Sequence, residues 1–383
     1  MRYKWIVLFL ITVPAFSCKK NSSNPVTTRV PANFGQVFDD YWNGMNANYV
    51  FWDIDTMDWN AVYRHYSPIF NKLDLQNKKD VASSIGYFRE IADGLIDHHY
   101  YLSFTNPLLI DSSVYPAYDH ILHDTGYRSP YSYFTLDRKY LDTGYLFGYD
   151  NTTDPANPLI VVTGTIHSNI LFFSCNQFSL FSSFHSPVSN GAQPAIQYFL
   201  NRLHNPAGLR GIVIDVRNNL GGDISDLDFL AGQFITKSLQ FGYSRYKSGN
   251  GRLDYTPWIS SVITPQTGAP PLTTPIAILC DRYSASLTEI FTMAMRLIPN
   301  CKTVGETTFG ATGPLTNYGI YNDGSFTVPE FMSIKTASAE FKYIDGNIYE
   351  GKGFPPDYPV PFSAAGINAG TDVQLEKAMS LLP

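Results

Sequence analysis

The sequence predicts an α/β fold in which a largely parallel sheet is covered by helices, and three observations carry that reading. GIVIDVR, from Gly211, is an apolar run of strand length, followed by NNLGGD and then by the helical stretch ISDLDFLAGQFI. PIAILC, from Pro275, is a second buried run, followed by DRYSAS and a helix with Leu287, Ile290, Phe291, Ala294 and Met295 on one face. CKTVGETT, from Cys301, supplies a third strand. Strand–loop–helix repeated in this way gives right-handed βαβ units. Ligands of such sheets gather at the carboxyl ends of the strands, where NNLGG and Ser286 both lie.

From the N-terminus, residues 1–17 read as a signal peptide. Arg2 and Lys4 precede an apolar run through Phe16 that is too short for a comfortable transmembrane helix. Cys18, directly after Ala15-Phe16-Ser17, resembles the lipidated cysteine of a bacterial lipoprotein, and residues 18–33 then form a lipidated tether. The resemblance implies an exported protein anchored to the bacterial cell envelope, on the periplasmic side of a membrane or at the cell surface.

Residues 34–100 read as a small helical domain. Phe34, Val37, Phe38, Tyr41 and Trp42 form an amphipathic stripe, MDWNAVYRHYSPIF predicts a helix ending near Pro68, and KKDVASSIGYFREIADGL predicts a third. Residues 101–383 form the α/β core. YLFGY, PLIVVTG and NILFFSC read as strands and QPAIQYFLNRLHN as a helix. After residue 310 the alternation stops, NDG and IDGN suggest hairpin turns, and TDVQLEKAMSLL closes the chain as a helix capped by Thr371 or Asp372. Cys175, Cys280 and Cys301 lack metal-site spacing; one disulfide is open to an exported protein, with the pair unspecified.

A net charge of −6 without a basic stripe argues against a nucleic-acid partner. NNLGG lacks the GK[ST] of a P-loop and the GxGxxG of a dinucleotide site, so phosphate binding has little support. Ser286-Leu287-Thr288-Glu289 fits a capping box. The same serine, at a helix start, would have the N–H of Leu287 and the positive end of the helix dipole beside its hydroxyl. Glycines in NNLGG would let a backbone N–H approach a substrate closely. Cap and nucleophile are both consistent with these residues alone.

IDVRNNLGGD, DRYSASLTEIFTMAMR and VGETTFGATG, in that order over roughly residues 211–315, resemble the core of the tail-specific, or C-terminal processing, serine peptidases. YVFWDIDTMDWNAVYRHYSP is similar to a branch of that family found among bacterial lipoproteins. The resemblance implies a ClpP/crotonase-like core, no metal or cofactor, and a peptide or protein substrate. It implies Ser286 as nucleophile, with Ser284 the lesser choice. One branch uses a lysine directly after the Phe-Gly of the third motif; that position here is Ala311, so a lysine mechanism fails.

The tricorn-like branch uses Ser, His and Glu. GLIDHHYYLSF matches its histidine segment with Asp97 and His99, and YEGKGFPPDYPV matches its glutamate segment with Glu350. His98 stands where the family has a small residue, which leaves both imidazoles open. The amides of Leu287 and of Gly221 or Gly222 would hold the oxyanion. Many relatives insert a substrate-binding PDZ domain, and none is recognisable in residues 105–205, so preference for C-terminal tails is not expected to carry over. The implied activity is a serine endopeptidase acting through an acyl-enzyme. The alternatives are an esterase, or a peptide- or lipid-binding lipoprotein that does not hydrolyse. Asp215 and Arg217 are expected to pair structurally beside the glycine loop, and Asp97 to serve a turn or cap.

Overall fold

The structure, a computed structural model, describes residues 29–152, 154–315 and 323–382. The signal peptide and Cys18 lie outside the described residues. No described helix is long and apolar enough to cross a membrane.

Three helices open the described chain: α1 (Phe34–Asn48), α2 (Trp59–Phe70) and α3 (Lys78–Ala92), each with an Asn or Asp side chain accepting an N–H of its first turn. The α2 helix runs through Pro68 to Phe70. Proline costs a helix its bond to the carbonyl four residues back, and here that loss falls in a last turn that α2 tolerates. The helices are completed by a small antiparallel sheet of β1 (Tyr101–Phe104), β2 (Ser113–Val114) and two strands from far along the chain.

Next come α4 (Pro116–His123), α5 (Phe134–Tyr140), β3 (Leu146–Asp150), β4 (Leu159–Ile166), β5 (Ile170–Cys175), α6 (Leu180–Phe184), α7 (Ala192–His204) and β6 (Gly211–Asp215). Residues 105–205 form no module of their own, because β3, β4 and β5 join the central sheet and α7 packs on β3 and β4. After β6 the expected helical stretch forms over residues 225–234, built mainly of a π-helical turn, Leu227–Ala231, and a 3-10 turn, Gly232–Phe234. Then follow β7 (Leu239–Tyr246), β8 (Ile259–Ile263), β9 (Ile276–Cys280), α8 (Leu287–Met295) and β10 (Cys301–Gly305).

The chain closes with β11 (Ser325–Val328), β12 (Met332–Lys335), β13 (Ala339–Tyr343), β14 (Tyr358–Pro359), α9 (Ala364–Asn368) and α10 (Val373–Ser380). The β11–β12 hairpin turns at Pro329-Glu330, with Glu330 at φ 58, and not at NDG. IDGN turns back on itself, Tyr343 N–H meeting the Asn347 carbonyl, without starting a paired strand. Asp372 caps α10, accepting from the N–H groups of Gln374 and Leu375.

The central sheet runs β14-β10-β9-β6-β5-β4-β3, parallel from β14 to β5 and antiparallel beyond. Period-two alternation sends Ile212 and Ile214 into the core under α7 and α8, and Val213 into the core under α10. Both faces are thus covered, as a parallel sheet requires. A third sheet, β13-β7-β8, stands beside the glycine loop. Cys175, Cys280 and Cys301 are buried free thiols, so the optional disulfide is not made.

Candidate active site

Ser286 sits between β9 and α8 with φ 58 and ψ −124, a conformation that costs a serine roughly 1–3 kcal/mol and survives only where surroundings enforce it. Its N–H donates to Glu289 Oε2 at 3.1 Å, the backward arm of the capping box. Its Oγ lies 3.0 Å from His99 Nε2. Ser284, the lesser choice, is buried and tied up: its Oγ donates to the Val216 carbonyl (2.8 Å) and accepts from Asp281 N–H (3.0 Å).

The glycine loop is clamped to this serine by Asn219. Asn219 Oδ1 accepts from Thr288 Oγ1 (2.7 Å) and from Gly221 N–H (2.9 Å), while its own carbonyl accepts Ala285 N–H. Gly221 has φ +93, and a Cβ there would come within 2.7 Å of Ser286 Cβ. At Gly222 a Cβ would strike the Phe178 carbonyl oxygen at 2.0 Å. Only glycine fits either place. Of the expected oxyanion donors, Gly221 drops out, because Asn219 already takes its N–H. Leu287 and Gly222 line the cavity, and their N–H groups have no hydrogen-bond partner among the described residues.

Glu289 is buried and accepts four bonds, from Ser286 N–H, Gly310 N–H, Ala311 N–H and Thr308 Oγ1. It thereby fixes the serine against the segment carrying Ala311. Burial, opposed by those donors, pushes its carboxyl up to about 7.

The two imidazoles are separated by geometry. His98 Nδ1–H donates to the Phe309 carbonyl (2.8 Å), which leaves His99 as the ring on the serine. Asp97 shapes the turn, its Oδ1 accepting His99 N–H and its Oδ2 accepting Ala337 N–H, both at 2.8 Å. Burial, with lesser contributions from the charges of Lys335 and His98, lowers the His99 pKa to about 3. The ring is therefore neutral at pH 7, the form that accepts a proton.

Glu350, 2% exposed, stands behind His99. A ring nitrogen of His99 and one carboxylate oxygen each of Asp97 and Glu350 lie within 4.8 Å of one another. His99 Nδ1 nevertheless has no hydrogen-bond partner among the described residues. Glu350 Oε1 accepts from His98 N–H (2.8 Å), and Oε2 accepts from Gly313 N–H (2.6 Å) and Thr312 Oγ1 (3.2 Å). The Ser286–His99 link of the expected chain is made and the His99–Glu350 link is open. Burial, followed by the neighbouring Asp97 charge, raises the Glu350 pKa, and burial raises that of Asp97. This trio is the grouping of metal-type ligands among the described residues, and each of its four carboxylate oxygens already accepts a main-chain N–H.

Ser286 and His99 open onto a cavity of about 630 Å³. Its walls are the glycine loop, the π-helical turn, the start of α8, the Ala311–Leu315 segment and the β13-β7-β8 sheet. That sheet was not flagged as part of the site from sequence. Its pairing of β13 with β7 joins segments about a hundred residues apart, which no local pattern announces. Leu220, Ile224, Ile259 and Val262 are exposed apolar side chains among the lining residues.

Comparison with known proteins adds the lineage. The model of peptidase family S41 matches residues 177–360, and that of the tricorn protease C1 domain matches residues 30–80. Carboxy-terminal processing protease CtpA of Bacillus subtilis is 28% identical over 149 residues, 39% of this chain and 28% of that protein. A probable CtpA-like serine protease of Staphylococcus haemolyticus is 32% identical over 150 residues, 39% of this chain and 27% of that protein. The chain thus spans under a third of the length of these relatives. The crystal structure of a candidate peptidase from Parabacteroides merdae superposes with a TM-score of 0.71 at 22% identity, covering 92% of this chain and 97% of that one. The fold is the mixed α/β, ClpP/crotonase-like core with a helical N-terminal region. The S41 match takes in the glycine loop, Ser286, Glu289 and Glu350, the tricorn C1 match takes in α1 and α2, and residues 177–360 thus carry the core of peptidase family S41, a family of serine peptidases.

Proposed function

We propose that this protein is a serine endopeptidase that hydrolyses exported proteins or peptides through an acyl-enzyme, with Ser286, His99 and Glu350 as its triad. The observation that carries the reading is a serine at φ 58 whose Oγ lies 3.0 Å from a neutral imidazole at the edge of a cavity. Ser286 Oγ attacks the scissile carbonyl while His99 Nε2 takes its proton. Leu287 and Gly222 N–H groups stabilise the oxyanion. His99 then gives the proton to the leaving amine, and water, deprotonated by the same ring, hydrolyses the ester. Glu350 orients His99 and stabilises the imidazolium as the remaining gap to the ring closes.

Residues 1–17 are proposed as a signal peptide and Cys18 as the lipidated anchor, which puts the peptidase at the cell envelope with the helical region leading the core from residue 34. The C-terminal processing of the CtpA proteins is not carried over. The open His99–Glu350 link favours a second reading, a peptide- or lipid-binding lipoprotein that does not hydrolyse.

A fluorophosphonate probe on the purified chain from residue 19 separates the two. Labelling of the parent, lost in Ser286→Ala and His99→Ala, is the expected result; an unlabelled, folded parent sinks the peptidase reading. The pH dependence follows from the neutral form of His99 being the active one. With a pKa lowered to about 3, the labelling rate is expected to hold within about twofold between pH 7.5 and 5.5. An imidazole at the ordinary value near 6.5 would instead give roughly a tenfold drop over that interval.

A further inference from the structure

We propose that Asp228 is a specificity determinant and that the cavity selects a lysine or arginine side chain beside the scissile bond. The inference rests on the peptidase reading. Asp228 lies on the π-helical turn and is the one carboxylate among the described residues lining the cavity, which neither Lys nor Arg lines. It makes no ion pair among the described residues. Its Oδ1 accepts Thr264 N–H at 2.9 Å, which fixes the carboxylate just past the end of β8 and leaves Oδ2 without a protein partner among the described residues.

The rest of the lining is largely apolar, with Leu227, Leu287, Ile290, Phe241 and Phe341, and its other polar side chains, such as Ser244 and Ser261, carry no charge that would compete for a cation. A half-buried carboxylate on such a wall lacks a counter-charge, which a bound cation would supply. Lysine and arginine have the matching form, an aliphatic stem that packs on apolar surface and a charged tip that donates several hydrogen bonds. A glutamate or a free C-terminal carboxylate in the same place would face Asp228 with like charge. The selected substrate is accordingly an internal basic position of an extended peptide and not a chain terminus.

Its neighbour Asp226 has a different role. That carboxylate is buried and accepts the N–H groups of Leu180 and Phe181, which holds α6 to the turn.

The test is a cleavage profile of a denatured protein digest by mass spectrometry, followed by matched peptides with Lys, norleucine or Glu at the selected position. It is run on protein that also takes the fluorophosphonate. The parent is expected to prefer Lys over norleucine by at least about tenfold in kcat/KM, the scale of one charged hydrogen-bonded pair. Asp228→Asn keeps the Thr264 bond and should bring that ratio toward one; Asp228→Lys should turn the preference toward Glu. A parent that labels and cleaves without basic preference, or an Asp228→Asn variant that keeps it, overturns this inference and leaves the peptidase reading standing. A parent that neither labels nor cleaves overturns both.

Discussion

Replacing Ser286 with alanine is expected to lower kcat by roughly four to six orders of magnitude while the protein stays folded. The hydroxyl lies 3.0 Å from His99 Nε2 and, at the cap of α8, is one of several groups that hold the helix end. The helix end is secured by Glu289, which takes Ser286 N–H, and by Asn219, which joins Thr288 and the glycine loop. Alanine keeps the backbone strain and loses the hydroxyl. Ser286→Gly makes the sharper contrast, since glycine accepts φ 58 without penalty. That variant should be equally inactive yet more stable than Ser286→Ala, by about 1 kcal/mol in urea unfolding. A backbone strained for no functional reason would not be expected at the residue that meets the imidazole. If Ser286→Ala hydrolyses peptides at the parent's rate, Ser286 is a helix cap and the triad is wrong.

The residues that made this site legible are those whose local pattern and chemistry coincide. GIVIDVR and PIAILC have the length and the near-continuous apolar character of strands buried on both faces, and the loops after them had to lie at the carboxyl edge of the sheet. Asn219 and the two glycines show why NNLGG takes that form: one side chain bonds across the loop, and no Cβ fits. His99 carried no comparable local signal. A histidine after a helix reads like any other, and it was reached through the family resemblance together with Asp97. Even then the choice between His98 and His99 needed the fold, because the two rings are placed by contacts to Phe309 and Ser286, about two hundred residues away.

What stayed hidden was non-local pairing. Tyr101–Phe104 pairs with Met332–Lys335, and no feature of either segment announces the other. The N-terminal helices were therefore expected to form a helical domain ending near residue 100. In the structure, their core takes in Val328, Phe331, Met332 and Ile334 from the far end of the chain. The sheet β13-β7-β8 is completed the same way, by β13 pairing with β7 from about a hundred residues away, and it brings Phe241, Ser261 and Phe341 to the cavity wall. Glu289 was read as half of a capping box. Its larger role, holding Gly310 and Ala311 against the serine, depends on where that later segment lands.

Arg217→Ala is expected to cost about 3–5 kcal/mol of stability and to make stability fall more steeply as pH rises. The guanidinium is buried against the face of Tyr133, 3.6 Å from the ring centre. It holds Asp215 at 2.5 Å, Asp372 at 2.8 Å and Asp137 at 3.7 Å, and donates to Gln374 at 2.9 Å. One cation thus ties the end of β6 to α5 and to the cap of α10. Burial keeps the Asp137 and Asp215 carboxyls raised even beside Arg217, whereas at Asp372 the Arg217 charge and bonds outweigh burial and hold the pKa below the usual carboxylate range. In the parent, Asp372 therefore contributes stability above its unfolded value near pH 4 that is lost as pH falls through the lowered one. Without Arg217, three buried carboxylates face one another with no cation, and their folded pKa values must rise. Each then favours the folded state only while protonated, so stability should fall as pH rises from 5 to 8, and urea unfolding at those two values measures it. Arg217→Lys, which keeps the charge and loses the planar fork, should fall between. A loss under about 1 kcal/mol at pH 8 would show that the cluster accommodates its own repulsion. A loss of the expected size, accompanied by slower fluorophosphonate labelling, would tie the buried charge to the glycine loop that begins one residue later.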